Sequence, residues 1–270
     1  MTPEERFMFD LEGYLVIRDV LTSDEIDILL DVADREFPRD YDDADSDTLR
    51  GNHPGVRRAP RVSHWDVATQ NLIDHPKVVP YLVEFLGPRF RLDHDYGIFM
   101  ITGAKRGALH GGLPNLFHHY YRYQDGVMQC GLSVVTYVLS DAKAGDGGFA
   151  CVRGSHKTNF RTSLPEDVRT FERVPHYVVQ PEAKAGDVIF FTEALTHGTL
   201  PWQATHERKV LLYKFGPGHL ISAPAGYDEA DYTDLTDRQT RIMLPPGVHE
   251  RPDVVDGEML SPAQGGPARK

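Results

Sequence analysis

The chain has 270 residues, 29 Lys+Arg against 40 Asp+Glu and a formal net charge of −11 at pH 7, so it has no basic excess to attract nucleic acid. Cys130 and Cys151, the two cysteines, lack CxxC spacing, so neither a disulfide framework nor a cysteine-zinc site is indicated, and a reducing cytosol fits best. No stretch approaches the roughly eighteen apolar residues of a membrane helix, and the start lacks a basic-then-apolar leader, so the expectation is a cytoplasmic protein without a membrane partner. One domain, residues 1–270, is expected at this length.

Taken in order, Gly13 to Val20 reads as a short strand. A helix comes next, opened by Thr22 and Glu25 at capping-box spacing, with Ile26, Leu29, Leu30, Ala33 and Phe37 on one face and Asp27, Asp31 and Asp34 on the other. Pro38 to Trp65 is polar and reads as a long loop. Loops of this length are often lids or binding segments, so Arg57, Arg58 and Arg61 are candidates to hold an anionic substrate. A second helix spans about Lys77 to Leu86 and stops at Gly87-Pro88; Pro80 is tolerable there only in the first turn.

From Phe90 the period changes to strands: Phe90 to Ile101, then Met128 to Leu139, a short strand after Gly148, Tyr177 to Val179, Val188 to Phe191 and Lys209 to Phe215. Within Met128 to Leu139, Gln129, Ser133, Val135 and Tyr137 share one face, and a barrel lined by that face would point its polar members into a ligand cavity. Helices first and many short strands later predict an α+β, mainly β chain. Its core, about residues 90–216, would be a double-sheet jelly roll, cupin-like, with supporting helices and a lid loop in 1–89 and a Pro/Gly-rich cover and tail in 217–270.

The chemistry concentrates between Gly186 and Arg208. A Gly-Asp turn launches the apolar strand Val188 to Phe191, a polar bend delivers His197, and Arg208 opens the next strand. Imidazole suits iron, zinc or copper, and a planar guanidinium grips a carboxylate through two parallel hydrogen bonds, so the pair points to an oxygenase pocket. Upstream, His110 leads into Gly111-Gly112, a glycine turn that lets backbone approach whatever the imidazole contacts.

The opening Gly13-Tyr-Leu-Val-Ile-Arg-Asp-Val, the Leu-His110-Gly turn, Gly-Gly-Phe149, Gly-Ser-His156-Lys, and Gly-Asp187 with His197 and Arg208 occur in an order that resembles the phytanoyl-CoA dioxygenase family of iron(II)- and 2-oxoglutarate-dependent oxygenases, from about Gly13 to His219. The resemblance implies a double-stranded β-helix holding Fe(II) through two histidines and a carboxylate, with 2-oxoglutarate and O2 at the open positions. By analogy His110 and His197 are the imidazoles and Arg208 pairs with the distal carboxylate of 2-oxoglutarate, with Thr199 as a hydroxyl partner. Gln129, Tyr137, Ser133, Arg57 and Arg58 are candidates for positioning cofactor or substrate.

The sequence departs from the family where an aspartate would stand two residues after the first histidine, because that position is Gly112. Glu193, four residues before His197, is the first candidate replacement, with Asp93 and Asp95 behind it. Alternatively the vacated position takes chloride and the enzyme halogenates. A reading from another class is a cupin-like barrel that binds a metal or ligand without 2-oxoglutarate. The expected reaction is oxidation of a small metabolite with release of succinate and CO2.

Overall fold

A computed structural model describes residues 1–38, 55–104, 107–112, 117–223, 226–247 and 251–255. The acidic run Asp40 to Asp47 and the tail from Gly265 lie outside the described residues. Helix α1 (Pro3–Glu12) starts where Thr2 accepts from the Glu5 N–H and Glu5 caps the Thr2 N–H, and Pro3 supplies a helix-ready φ at the first position. The same signature opens α2 (Ser23–Glu36), where Thr22 and Glu25 exchange caps as their spacing predicts. Between them runs β1 (Tyr14–Ile17).

The remaining elements are β2 (Val56–Pro60), α3 (Val67–Gln70), α4 (Val79–Leu86), β3 (Arg91–Met100), β4 (Gly107–His110), β5 (Tyr121–Gln124), β6 (Val127–Cys130), β7 (Ser133–Val138), β8 (Gly148–Val152), α5 (Glu166–Arg169), β9 (Val178–Val179), β10 (Val188–Thr192), β11 (His197–Leu200), β12 (Arg208–Gly216) and α6 (Asp237–Met243). Among the described residues the strands form a six-stranded sheet, β1-β10-β7-β12-β3-β2, a four-stranded sheet, β4-β11-β8-β9, and the hairpin β5-β6. Every pairing is antiparallel. No described helix is long and apolar enough to cross a membrane.

Strand alternation divides the six-stranded sheet into two faces. One face packs against the helices: Phe99, Val135, Tyr137, Val188, Phe190, Leu211 and Tyr213 join Phe9 of α1, Leu29 and Ala33 of α2, and Leu82 and Phe85 of α4. The Phe9 and Phe85 rings lie 4.0 Å apart between centroids, and Phe85 stacks on Phe190 at 4.9 Å. The opposite face, with Ile98, Met100, Val134, Val138, Ile189, Phe191, Val210 and Leu212, shares a core with Phe149 and Cys151 of the four-stranded sheet. The space between the two sheets is where the chemistry-bearing side chains converge.

The segment Pro38 to Trp65 is not wholly loop, since β2 adds an edge strand paired with β3, Val56 opposite Met100. Met128 to Leu139 is two strands, because the chain turns at Gly131-Leu132, where the Leu132 N–H bonds the His118 carbonyl. The turn changes which way the residues of β7 face. Tyr137 therefore points to the helix face, where its hydroxyl donates to the Leu72 carbonyl at 2.8 Å while Tyr213 donates to Thr69 at 2.6 Å. The two tyrosines anchor α3 and the turn that follows it. Tyr137→Phe is expected to cost about 1 kcal/mol of stability in a urea titration, the usual net worth of one buried hydrogen bond, with ligand responses unchanged.

Candidate metal and carboxylate site

Antiparallel pairing of β4 with β11 sets His110 opposite His197, 87 residues along the chain. Directly opposed residues project from the same side of a sheet, and here the two imidazole centroids are 4.4 Å apart. Each ring is held by the same local device. His110 Nδ1 donates to the carbonyl of Ala108 and His197 Nδ1 to that of Leu195, each at 2.9 Å. A carbonyl only accepts, so Nδ1 carries the proton and Nε2 keeps its lone pair for a metal. His197 is buried and His110 sits at the exposed rim. Burial, together with His110 nearby, pushes the His197 imidazole down to about 3 despite the Glu193 carboxylate, so the ring is neutral as ligation requires.

The close approach behind these rings depends on Gly111. Its φ is +92°, and a Cβ there would stand 2.6 Å from the Leu195 carbonyl oxygen and 3.0 Å from His197 Nδ1. The next residue, Gly112, donates its N–H to the Glu193 carbonyl at 2.7 Å, tying the His110 turn to the bend before His197.

Glu193 comes directly after β10 on the inner face and is buried. Its Oε1 lies 2.7 Å from Lys214 Nζ and 4.0 Å from His197 Nε2, and its Oε2 lies 3.7 Å from His119 Nε2. Burial alone would raise this carboxyl, but the Lys214 ammonium, with His197 and His110, holds it well below the usual carboxylate range. Burial opposes the charge on Lys214 too, and Glu193 outweighs it. His119 is pushed down to about 4 by burial, and its Nδ1 is buried without a hydrogen-bond partner among the described residues. Among the described residues no three His, Cys, Asp or Glu side chains already stand in a metal-holding arrangement. Among the described residues Glu193 is the carboxylate beside His197, and a lysine engages it.

Asp93 and Asp95 are committed elsewhere. Asp93 pairs with Arg91 and His94 and accepts from the N–H groups of Ser222 and Ala223, while Asp95 serves Ser63 and Tyr227.

Arg208 opens β12 opposite Met100 and faces the space between the sheets. It is 5 % exposed, and among the described residues its guanidinium is met by the Met100 sulfur, 3.6 Å from Nη1. Burial pushes it down to about 10. A buried guanidinium without an anion is costly, so the position suits an anionic ligand. Gly148 makes room for it, since with φ +81° a Cβ there would meet Arg208 Nε at 2.7 Å. Thr199 lies on the same inward face as His197, opposite Phe149.

Other expected positions fall outside this space. Gln129 is exposed on the β5-β6 hairpin, in a groove of about 630 Å³ that includes neither histidine nor Arg208. Ser133 shares the facing of Tyr137 and bonds the Gly131 carbonyl at 3.2 Å. Arg57 points to the helix face, stacked over Phe37 and Phe99 and bound to Glu207 and to the carbonyls of Phe37 and Pro38. Its neighbour Arg58 turns the other way, over the Tyr96 ring. Sequence patterns do not single out Lys214, His119 or Tyr96, although Lys214 has the same strand parity as Arg208.

An imidazole pair and a buried guanidinium thus face the space between the two sheets. The chain belongs to the phytanoyl-CoA dioxygenase (PhyH) family, whose sequence model matches residues 9–210. It is similar in structure to HygX from Streptomyces hygroscopicus, solved with nickel and 2-oxoglutarate bound, at TM-score 0.69 and 25% identity over 82% of this chain and 89% of that one. HygX with nickel, 2-oxoglutarate and hygromycin B matches at TM-score 0.70 and 25% identity, with the same coverage. The fold alone is shared with AviO1 from Streptomyces viridochromogenes Tue57, at TM-score 0.59 and 19% identity over 82% of this chain and 97% of that one. No curated protein matches the sequence.

Proposed function

We propose that this protein is an iron(II)- and 2-oxoglutarate-dependent dioxygenase, built on a double-stranded β-helix, that oxidises a small metabolite. The observation that carries the reading is the cross-strand pair His110–His197 sharing one inner space with the buried Arg208, whose guanidinium has a sulfur for a partner. Iron and 2-oxoglutarate are its cofactors, as family membership and the 2-oxoglutarate-bound HygX structure support. HygX holding hygromycin B supports a small-molecule substrate.

His110 and His197 would hold the metal through Nε2, and Glu193 would supply the carboxylate that Gly112 lacks. Bound together with O2, iron and 2-oxoglutarate supply the oxidising power for C–H oxidation, with succinate and CO2 as coproducts. The chain's own residues orient and enclose. Arg208 fixes the distal carboxylate of 2-oxoglutarate, with Thr199 beside it, and Gly148 keeps the guanidinium unobstructed. The Ala108 and Leu195 carbonyls set which ring nitrogens face the pocket. Phe149 and Phe191, with centroids 6.2 and 4.6 Å from the His197 ring, exclude water from its buried side.

The test uses nickel as a redox-inert stand-in. 2-Oxoglutarate is expected to raise the melting temperature of the nickel-loaded protein, and the iron-loaded protein should release succinate in air. A protein whose melting point ignores 2-oxoglutarate with either metal, and which releases no succinate, is not this enzyme. A chloride-dependent mass shift in the product would instead assign halogenation.

A further inference from the structure

The inner face of the six-stranded sheet carries more positive than negative charge. Arg58, Lys214 and Arg208 face inward, and among the described residues Glu193 is the carboxylate that meets them. Lys214 is satisfied by Glu193 at 2.7 Å, and Arg208 is assigned to the distal carboxylate of 2-oxoglutarate. Arg58 is left. It stands opposite Ile98, a residue of the core between the sheets, so edge strand β2 aims it into that space. Its guanidinium carbon is 5.9 Å from the centroid of the Tyr96 ring, which Lys214 Nζ approaches at 5.4 Å. The Arg58 Nε is buried with no hydrogen-bond partner among the described residues. Arg57, one residue earlier, spends its guanidinium on a carboxylate and two carbonyls.

A planar guanidinium lying on an aromatic ring, with a buried N–H unanswered, is prepared for a ligand that accepts from Nε and one terminal nitrogen together. Carboxylate and phosphate do so, and a neutral hydroxyl offers a single acceptor. We propose that Arg58, seated on Tyr96, is the subsite for an anionic group of the primary substrate, so that the enzyme oxidises a small carboxylate- or phosphate-bearing metabolite. The proposal rests on the oxygenase reading and adds the charge of its substrate.

The experiment titrates four probes of similar size, benzoate, phenylphosphate, benzyl alcohol and benzylamine, into the full-length protein loaded with nickel and saturated with 2-oxoglutarate. Binding is measured by calorimetry. At least one anion is expected to bind about tenfold more tightly than the alcohol or the amine, as a charge-assisted pair requires. Whether benzoate or phenylphosphate leads identifies carboxylate or phosphate. In Arg58→Gln that anion should weaken by about tenfold while 2-oxoglutarate binds as before, and Arg58→Lys should restore part of the loss. Wild-type protein that binds neither anion, or binds the amine equally well, overturns the proposal. So does an Arg58→Gln protein that holds the anion undiminished. Loss of the 2-oxoglutarate response in wild type would instead strike the oxygenase reading, which separates the two failures.

Discussion

Arg208→Met is expected to make the ligand-free protein more stable and to abolish its response to 2-oxoglutarate. Arg208 is 5 % exposed, and among the described residues its guanidinium has a sulfur for a partner. Its shift from 12.5 to about 10 corresponds to roughly 3 kcal/mol of disfavoured charge. A base whose pKa falls on folding penalises the folded state at every pH where it is charged, which sets the sign. Methionine keeps much of the aliphatic stem and removes the charge, so part of the lost packing offsets the gain. A net increase of about 1–2 kcal/mol remains, and each kcal/mol raises the melting temperature by about 2–4 °C at this chain length. The same change removes the fork that would grip the distal carboxylate, so 2-oxoglutarate should bind at least about a hundredfold more weakly to the nickel-loaded protein. Differential scanning calorimetry with and without 2-oxoglutarate reads both effects. A variant that loses stability and keeps its 2-oxoglutarate affinity would show that Arg208 serves packing alone.

Lys214→Met should destabilise the metal-free protein by about 3–5 kcal/mol, because it strands the buried Glu193 carboxylate that the ammonium now holds at 2.7 Å. Nickel should restore most of that loss if Glu193 is the third ligand, since the metal then answers the same charge. Glu193→Ala strands Lys214 instead, with a similar cost that nickel cannot repair, and the double variant Glu193→Gln with Lys214→Met should regain most of the stability and bind nickel poorly. Melting curves of the three variants with and without nickel separate the possibilities. Equal rescue of all three would place Glu193 outside the metal centre and return the Gly112 position to chloride.

These outcomes bear on how the sequence encodes the site. The capping boxes of α1 and α2 use the same Thr-x-x-Glu logic, yet α1 is hard to read because its apolar face is short, with Phe9 its buried residue. Strand β12 is legible almost to its ends, and so is the Gly186-Asp187 turn, where Asp187 accepts from the N–H groups of Asp19 and Lys184. The facing of β7 is not legible. All six of its residues are buried, so apolar alternation could not say which face met helices and which met the cavity, and a turn at Gly131 reset the parity.

By itself the sequence determined the inventory and its order: a histidine before a glycine turn, Glu193 and His197 in one bend, Arg208 at a strand start, and a strand-rich second half after capped helices. Those are local properties, set by backbone preferences and residue chemistry over a few positions. Only the tertiary structure decided which members meet. Pairing of β4 with β11 brings together histidines 87 residues apart, the register of β12 aims Arg208 and Lys214 inward together, and edge pairing of β2 sends Arg58 and Arg57 to opposite faces. Strand register couples residues distant in sequence, and a shift of one residue exchanges the two faces, so no local pattern could have assigned them.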